Sequence, residues 1–294
     1  MTLSRLGLAA ELARRHGGRL VYDAGDIYLE TTAYVGLHPL LRAWLARLER
    51  QGARRADRVV TVNDAYARLL AERLGVPSPL VIMNCPPATE RSRPPARRFH
   101  DQLGLPADRR VVLYHGGFSR ERGIEELIAA IGAVPGAVLV LMGYGLLEDE
   151  IRAAADRPEL SGRVFVVPAV PPSELLDWVA AADVVAMPIQ PTTLNHRFTT
   201  PNKLFEAMTV GVPVVVSDLP GMATIVRETG CGLLCDPTDP GDIAAAIREI
   251  LDAPPERRRG WSEAGLAAAR GRYNWERQVE ALIAEYGRIT GRPW

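Results

Sequence analysis

Cysteine and long apolar segments are both scarce in this sequence. The 294 residues include three cysteines, Cys85, Cys231 and Cys235, and a small, odd number favours a reducing compartment over a disulfide-stabilised fold. Cys231 and Cys235 have no histidine near them in the sequence, so we interpret them as small buried hydrophobic residues. No apolar run approaches the roughly 18–20 residues that a membrane span needs, and the N-terminus holds no signal-peptide core. We expect a cytoplasmic protein, with peripheral attachment to the inner face of the plasma membrane left open.

Net charge and metal-binding motifs are missing as well. Lys plus Arg number 35 and Asp plus Glu number 35, so no overall field favours a nucleic-acid partner. The sequence has no Asp-x-Asp motif and no histidine pair at zinc spacing. We therefore expect neither a metal centre nor nucleic-acid binding.

The second part of the sequence alternates strands and helices. Buried β-branched runs alternate with segments of helical periodicity, which specifies an α/β fold with a doubly wound parallel sheet. The predicted strands cover 110–114, 137–142, 163–167, 184–187, 214–217 and 232–234. The predicted helices cover 121–131, 148–155, 173–181, 201–210, 221–227, 242–251, 261–270 and 275–288. Ligands of such sheets bind beyond the carboxyl ends of the strands.

The first part of the sequence holds fewer elements and ends in a linker. Helices are predicted at 3–15, 40–48 and 65–73, with short strands at 20–22, 58–62 and 80–83. Residues 86–98 are proline-rich, basic and without apolar periodicity, as expected of a linker. We predict a partial N-terminal domain with its linker at 1–95, a C-terminal domain at 96–272 and a final helix within 273–294.

The predicted helix at 40–48 allows two interpretations. Its apolar stripe is surrounded by arginines, and a basic amphipathic helix can lie on anionic lipid. Packing on its own sheet with a solvated arginine face is the commoner explanation, and we prefer it. The stripe consists of Leu40, Leu41, Trp44, Leu45 and Leu48.

The most informative stretch is 199–218, which predicts a short helix followed by a buried strand. Thr200 suits the N-cap and Pro201 the first helical position, while Gly211 ends the helix. A carboxylate at Glu206 can accept hydrogen bonds from a vicinal diol such as that of a ribose. Its neighbour Lys203 lies three residues earlier on the same face, so a solvated ion pair of little consequence is the alternative.

Further candidates follow other predicted strands at the same edge of the sheet. Gly116 and Gly117 allow backbone amides to approach an anion closely, and Arg122 and Lys203 supply two cations, enough for a diphosphate. The Gly143-Tyr144-Gly145 turn lacks the third glycine of the dinucleotide fingerprint, which disfavours a dehydrogenase. Two histidines, His115 and His196, are further candidates for a cleft, although a lone histidine is more often structural.

Taken together, these segments resemble the C-terminal domain of the retaining family 4 glycosyltransferases, which have the GT-B fold. The resemblance covers about 110–290, and residues 20–87 look like the second half of that family's N-terminal domain. It rests on five segments in continuous order: 115–123, 142–145, 182–188, 201–213 and 232–237. It implies two Rossmann-like domains, the first of them truncated, and a C-terminal helix within 273–294 that crosses back onto the N-terminal domain.

The resemblance also implies roles for individual residues. Glu206 is expected to bind the ribose of a UDP- or GDP-linked sugar, and Arg122 and Lys203 are expected to bind its diphosphate. The same three residues are the expected catalytic residues. The other residues expected to bind the donor are Gly116, Gly117, Gly143, Tyr144, Val170, Thr200, Pro201 and Asn202. Such enzymes transfer a sugar with retention to a carbohydrate or lipid-linked acceptor, need no cofactor or metal, and serve polysaccharide or glycolipid synthesis.

The chain departs from the family at two positions. Phe198 stands where the family often has a second glutamate, and Phe118 where an arginine often follows the first glycines. Two other functions remain open beside sugar transfer: a nucleotide-sugar epimerase of the same fold, and a partner or fragment that binds nucleotide without transferring sugar. An epimerase needs positioned acid and base groups, and no cluster of an acidic residue with a histidine is evident at the strand ends.

Overall fold

The computed structural model describes residues 3–31, 34, 36–88 and 97–292, so most of the predicted linker lies outside the described residues. The chain forms two compact units. Unit 1 consists of Met1–Cys85, Thr193–Thr200 and Trp275–Trp294, and unit 2 of Pro86–Thr192 and Pro201–Asn274. Residues 193–200 and the C-terminal segment therefore belong to the same unit as the N-terminal part of the chain.

Each unit contains a parallel sheet. In chain order the strands are β1 (Val21–Asp23), β2 (Arg58–Thr61), β3 (Leu80–Val81), β4 (Arg110–Phe118), β5 (Ala137–Gly145), β6 (Val164–Val167), β7 (Val184–Met187), β8 (Val214–Ser217) and β9 (Gly232–Cys235). In the described part of the chain, unit 1 has the order β1-β2-β3 and unit 2 the order β6-β5-β4-β7-β8-β9, with parallel pairing throughout. The predicted α/β class with parallel sheets is confirmed.

Helices connect the strands, as crossovers between parallel strands require. In chain order they are α1 (Leu3–His16), α2 (Pro39–Ala53), α3 (Asp64–Leu74), α4 (Arg98–Leu103), α5 (Ile124–Ile131), α6 (Glu148–Ala155), α7 (Pro172–Val179), α8 (Leu194–Phe198), α9 (Asn202–Val210), α10 (Pro220–Thr229), α11 (Pro240–Asp252), α12 (Pro255–Gly271) and α13 (Trp275–Thr290). The sequence prediction missed α4, which lies partly in the predicted linker, and α8, which it treated as loop.

Separate apolar cores stabilise the two units. In unit 2 the strand residues Val112, Leu139 and Leu141 pack against α5 and α11 and are completely buried. In unit 1 the core forms around Tyr22, Tyr66 and Leu70. Continuous apolar strands such as 138–142 are typical of a parallel sheet covered on both faces.

The preferred interpretation of α2 is wrong for three of the five residues of its apolar stripe, Leu40, Leu41 and Trp44. Leu40 is 76% exposed and Trp44 55% exposed, whereas Leu45 and Leu48 are half-buried. The N-terminal half of the helix therefore presents apolar side chains to solvent beside exposed arginines such as Arg47. Among the described residues, no helix combines the length and apolar character that crossing a membrane requires.

Candidate functional site

The glycine-rich ends of two neighbouring strands form one side of the site in unit 2. We predicted Gly116 and Gly143 to follow their strands as turns, and this is wrong: both lie inside the ladder, with Gly116 paired to Gly143. A Cβ on Gly143 would come within 1.9 Å of the Gly116 carbonyl oxygen, so the two strands approach too closely for any side chain there. Gly116 itself has a φ of 119°, a conformation that favours glycine.

Helix α9 supplies the two charged residues that face this edge. The helix begins at Asn202, with Pro201 in extended conformation at the N-cap and no side-chain hydrogen bond to the cap. The prediction of Thr200 as the N-cap and Pro201 as the first helical residue is therefore wrong by one position. Gly211 ends it at a φ of 69°, as predicted. Phe205, almost completely buried, stacks on Tyr273 with ring centroids 5.6 Å apart. The helix is therefore anchored by its apolar face, which fixes where its charged residues lie.

Lys203 is a buried cation rather than half of a surface ion pair. It is only 9% exposed, and its Nζ lies 3.7 Å from the centroid of the Tyr114 ring. A Cβ built on Gly116 would lie 3.3 Å from that same Nζ, so the ammonium would have to shift slightly if any side chain stood at this position. Burial, followed by repulsion from Arg122 and offset in part by Glu206, lowers the pKa of Lys203 to about 7.

Arg122 adds a second cation next to Lys203. It lies in the 3₁₀ turn Arg120–Arg122 that follows β4, and the turn is closed by Gly123 at a φ of 72°. Neither Arg122 nor Lys203 forms an ion pair with any residue in the described ranges. The two positive groups repel each other, Glu206 offsets that repulsion only in part, and a bound anion would relieve it further.

Glu206 is held by a histidine at the end of the strand. The Nε2 atom of His115 lies 2.7 Å from Oε2 of Glu206, and the two side chains are 4% and 16% exposed. Burial lowers the pKa of His115, against the opposing effect of its hydrogen bond to Glu206. The sequence analysis predicts no cluster of an acidic residue with a histidine at the strand ends. That prediction is wrong, because the fold brings His115 and Glu206, 91 positions apart, into contact.

Other residues predicted for the site are distributed over both units. In unit 2, Tyr144 is 70% exposed at the end of β5 and Val170 is half-buried beyond β6. His196, Phe198 and Thr200 belong to unit 1, where Phe198 packs edge-on against Tyr66. Thr200 Oγ1 accepts a hydrogen bond of 2.8 Å from Asn63 Nδ2.

Sequence reasoning missed one residue of this candidate site, Tyr114. The phenol is buried and donates a 2.8 Å hydrogen bond to the Gly117 carbonyl oxygen, while its ring faces Lys203. A tyrosine immediately before the His-Gly-Gly segment was the available signal, but an aromatic residue in a buried strand is ordinary. Only the fold shows that the ring supports a cation.

A cavity lies away from these residues. It has a volume of about 470 Å³ and lies beyond the carboxyl ends of β8 and β9, between Asp218, Asp236 and Asp242. These carboxylates already have partners, since Asp218 pairs with Arg227 at 2.6 Å and Asp242 accepts from the Asp236 amide at 2.7 Å. In the described residues, no group of three or more His, Cys, Asp or Glu is placed to hold a metal ion.

Comparison with protein families gives two matches that together cover most of the chain. Residues 96–267 match the family described as glycosyl transferases group 1, and residues 1–86 match the glycosyl transferase 4-like domain. One similar curated protein is a D-inositol 3-phosphate glycosyltransferase of Segniliparus rotundus, 34% identical over 193 residues that cover 63% of this chain and 41% of that protein. The chain spans about half the length of the curated relatives that it matches.

Solved structures of glycosyltransferases share the fold. Anabaena HepE in complex with UDP superposes with a TM-score of 0.78 at 22% identity, covering 98% of this chain and 77% of that chain. The sucrose-phosphate synthase of Thermosynechococcus elongatus gives a TM-score of 0.77 at 24% identity, covering 97% and 71%. The predicted GT-B fold class is therefore confirmed.

Proposed function

Because the chain belongs to the glycosyl transferases group 1 family, we propose that it is an enzyme that transfers a sugar from a nucleoside-diphosphate sugar to an acceptor. One observation carries the proposal. Arg122 and Lys203, two cations that form no close ion pair in the described ranges, interact electrostatically at a glycine-lined strand end, and the half-buried carboxylate of Glu206 acts on the same lysine. That combination matches a donor that carries a diphosphate and a ribose.

Each part of the donor has a partner in this arrangement. The diphosphate would lie against Arg122 and Lys203, near the N-terminus of α9, where the helix dipole and free amides favour negative charge. The ribose diol would donate to Glu206, whose second oxygen has no protein partner in the described residues. Gly116 and Gly117, which carry no side chains, would let the phosphates approach the backbone.

The finer features of the reaction are part of the same proposal. We propose that the sugar is transferred with retention of its anomeric configuration, as the family resemblance implies. We also propose that no metal or cofactor is needed, because two cations and a helix N-terminus would stabilise the leaving diphosphate. UDP is the nucleotide bound in the HepE structure. The described residues do not distinguish uracil from guanine, so the proposal includes both UDP-linked and GDP-linked donors. The acceptor would be a carbohydrate or a lipid-linked sugar, as in polysaccharide or glycolipid assembly.

We also propose a reducing location and a peripheral membrane contact. All three cysteines are free and buried, as in proteins of the cytoplasm. The exposed Leu40 and Trp44 of α2, followed by Arg47, suit the interface of an anionic inner leaflet. Co-sedimentation with phosphatidylserine vesicles that persists unchanged in a Trp44→Ala variant would count against this contact.

The nucleotide site is tested by thermal unfolding with UDP and GDP. A ligand at about 100 times its Kd stabilises a protein by roughly 2.7 kcal/mol. Glu206→Ala should abolish most of that shift, because hydrogen bonds to a charged group contribute about 1.5–3 kcal/mol each. Glu263→Gln, which changes an exposed glutamate elsewhere in unit 2, is the matched control and should shift like the unmodified protein.

The outcomes of this experiment and of its extension distinguish the candidate functions. No shift with either nucleotide would remove the proposed donor site, and an unchanged shift in Glu206→Ala would remove the ribose assignment. Incubation with UDP-sugars and GDP-sugars then distinguishes a transferase, which hydrolyses the donor slowly without acceptor, from a protein that only binds. A donor recovered with inverted stereochemistry at one sugar carbon would instead reveal an epimerase using His115 and Glu206.

A further inference from the structure

We propose that His115 is a positioning residue that holds Glu206 ready for the ribose diol and so sets the preference for ribonucleotides over deoxyribonucleotides. This inference rests on the proposed function, since it assigns a second residue to the same donor site. It starts from the 2.7 Å contact between His115 Nε2 and Glu206 Oε2. The proposed binding of the diphosphate by Arg122, Lys203 and the glycines gives His115 no role.

The surroundings of the imidazole define its protonation state. Its Nδ1 atom is buried and has no hydrogen-bond partner within the described residues. A proton on Nδ1 would leave a buried donor unsatisfied, and protons on both nitrogens would also place a positive charge next to Lys203. A proton on Nε2 alone is used by Glu206. The neutral ring that donates from Nε2 is therefore the consistent state, and it leaves the negative charge of Glu206 intact.

The backbone gives the histidine the rigidity that the glutamate lacks. His115 lies within β4 and pairs with Met142 of β5, so its Cα is held by the parallel ladder. Glu206 reaches the same place from α9 on a flexible side chain that is still 16% exposed. A hydrogen bond from a rigid donor selects one orientation of that carboxylate before the ligand arrives, which removes the entropic cost of ordering it on binding.

That orientation has a measurable consequence for specificity. With Oε2 occupied by His115, Oε1 and the remaining lone pair of Oε2 are left to accept from the two ribose hydroxyls. A ligand without the 2′-hydroxyl leaves one of these acceptor positions unused. Discrimination between ribose and deoxyribose should then depend on His115 as well as on Glu206, although the histidine does not itself touch the nucleotide.

The experiment measures Kd for UDP and 2′-deoxy-UDP, and for GDP and 2′-deoxy-GDP, by calorimetry on the full chain. We expect the unmodified protein to prefer the ribonucleotide by about tenfold or more. His115→Leu and His115→Asn, which place no donor within reach of Oε2, should bring that ratio close to one. His115→Gln, whose amide nitrogen extends to the position of Nε2, should retain most of the ratio.

Controls distinguish positioning from folding and from the donor site itself. Lys203→Met should weaken both members of each pair alike and leave their ratio unchanged, because its partner is the diphosphate. Melting of the unliganded variants reports whether they fold, and His115→Gln and His115→Asn differ only in reach. The inference would be overturned if all three His115 variants lost affinity equally for ribo- and deoxyribonucleotides, or if His115→Leu kept the ratio of the unmodified protein. An unmodified protein that binds no nucleotide would overturn the proposed function instead.

Discussion

At the scale of single residues, Lys203 shows why the site is suited to an anion. An ammonium group buried against an aromatic ring and beside a guanidinium is unfavourable without a ligand, and its pKa of about 7 expresses that cost. A bound diphosphate would raise the pKa of Lys203, because it adds negative charge beyond the partial offset that Glu206 provides. Binding of the ligand is therefore linked to protonation of this one side chain.

The first prediction follows from that linkage. Affinity for UDP should fall as the pH rises from 7.5 to 9, approaching a tenfold loss per pH unit, because the free protein must take up a proton at Lys203 to bind. The terminal phosphate, with a pKa near 6, is already ionised in this range. The measurement is calorimetry in buffers of different ionisation enthalpy, which reports the proton uptake directly. Besides Arg122, the charged or titratable groups facing Lys203 are Glu206, His115 and Tyr114.

The matched variant for this prediction is Lys203→Arg. A guanidinium stays charged throughout the pH range, so the affinity of the variant should change little between pH 7.5 and 9. In the unliganded protein the same linkage has the opposite sign. The unfolded chain binds more protons than the folded one between pH 7 and 10.5, so this group makes the free energy of unfolding rise across that window. A Kd for UDP that is independent of pH in the unmodified protein would contradict the prediction.

At the scale of elements, the turn between β4 and α5 decides where Arg122 lies. Gly123 closes the turn at a φ of 72°, and a Cβ there would come within 1.9 Å of the Pro188 carbonyl oxygen. That neighbour is backbone at the end of β7, so no side-chain rotation can relieve the contact. Position 123 therefore requires glycine for two reasons: the positive φ, and the lack of room for a Cβ beside the Pro188 carbonyl oxygen.

The second prediction compares two glycines with the same conformation. Gly104 has a φ of 64° and open space around its Cα, so Gly104→Ala should cost only about 1–2 kcal/mol for the left-handed conformation. Gly123→Ala should cost clearly more in urea unfolding, because the clash adds to that strain. It should also weaken UDP binding by displacing Arg122, whereas Gly104→Ala should not. Equal losses of stability in the two variants would show that the Pro188 contact is unimportant.

The same elements show what the sequence could and could not predict. Local sequence patterns predicted the observed bounds of β7, β8 and α6, and Gly211 predicted the end of α9. These features depend only on neighbouring residues. The extension of β4 through Gly116 was missed, since two glycines in a strand look like a turn until their partner Gly143 is known. The His115–Glu206 contact joins a strand to a helix 91 residues away, and no local pattern encodes such a pairing. Glu206 and Lys203 were predicted as candidates from their spacing, but the burial of Lys203 was not.

At the scale of the whole molecule, the two units differ in size and in what they contribute. Unit 2 surrounds its six strands with helices on a large apolar core, whereas the described part of unit 1 has three short strands and a smaller core. Stability rises with the apolar surface that a unit buries. The cations, the glycine ladder and Glu206 all belong to unit 2, so the nucleotide site is part of the unit with the larger core.

The third prediction is that differential scanning calorimetry resolves two transitions, with unit 1 unfolding at the lower temperature. UDP at about 100 times its Kd should move only the upper transition, by roughly 5–10 °C, since a ligand stabilises the cooperative unit that binds it. Glu206→Ala should remove that shift and leave the lower transition where it is. A single transition that moves as a whole with UDP would show instead that the two cores unfold together, and that the site draws its stability from both units.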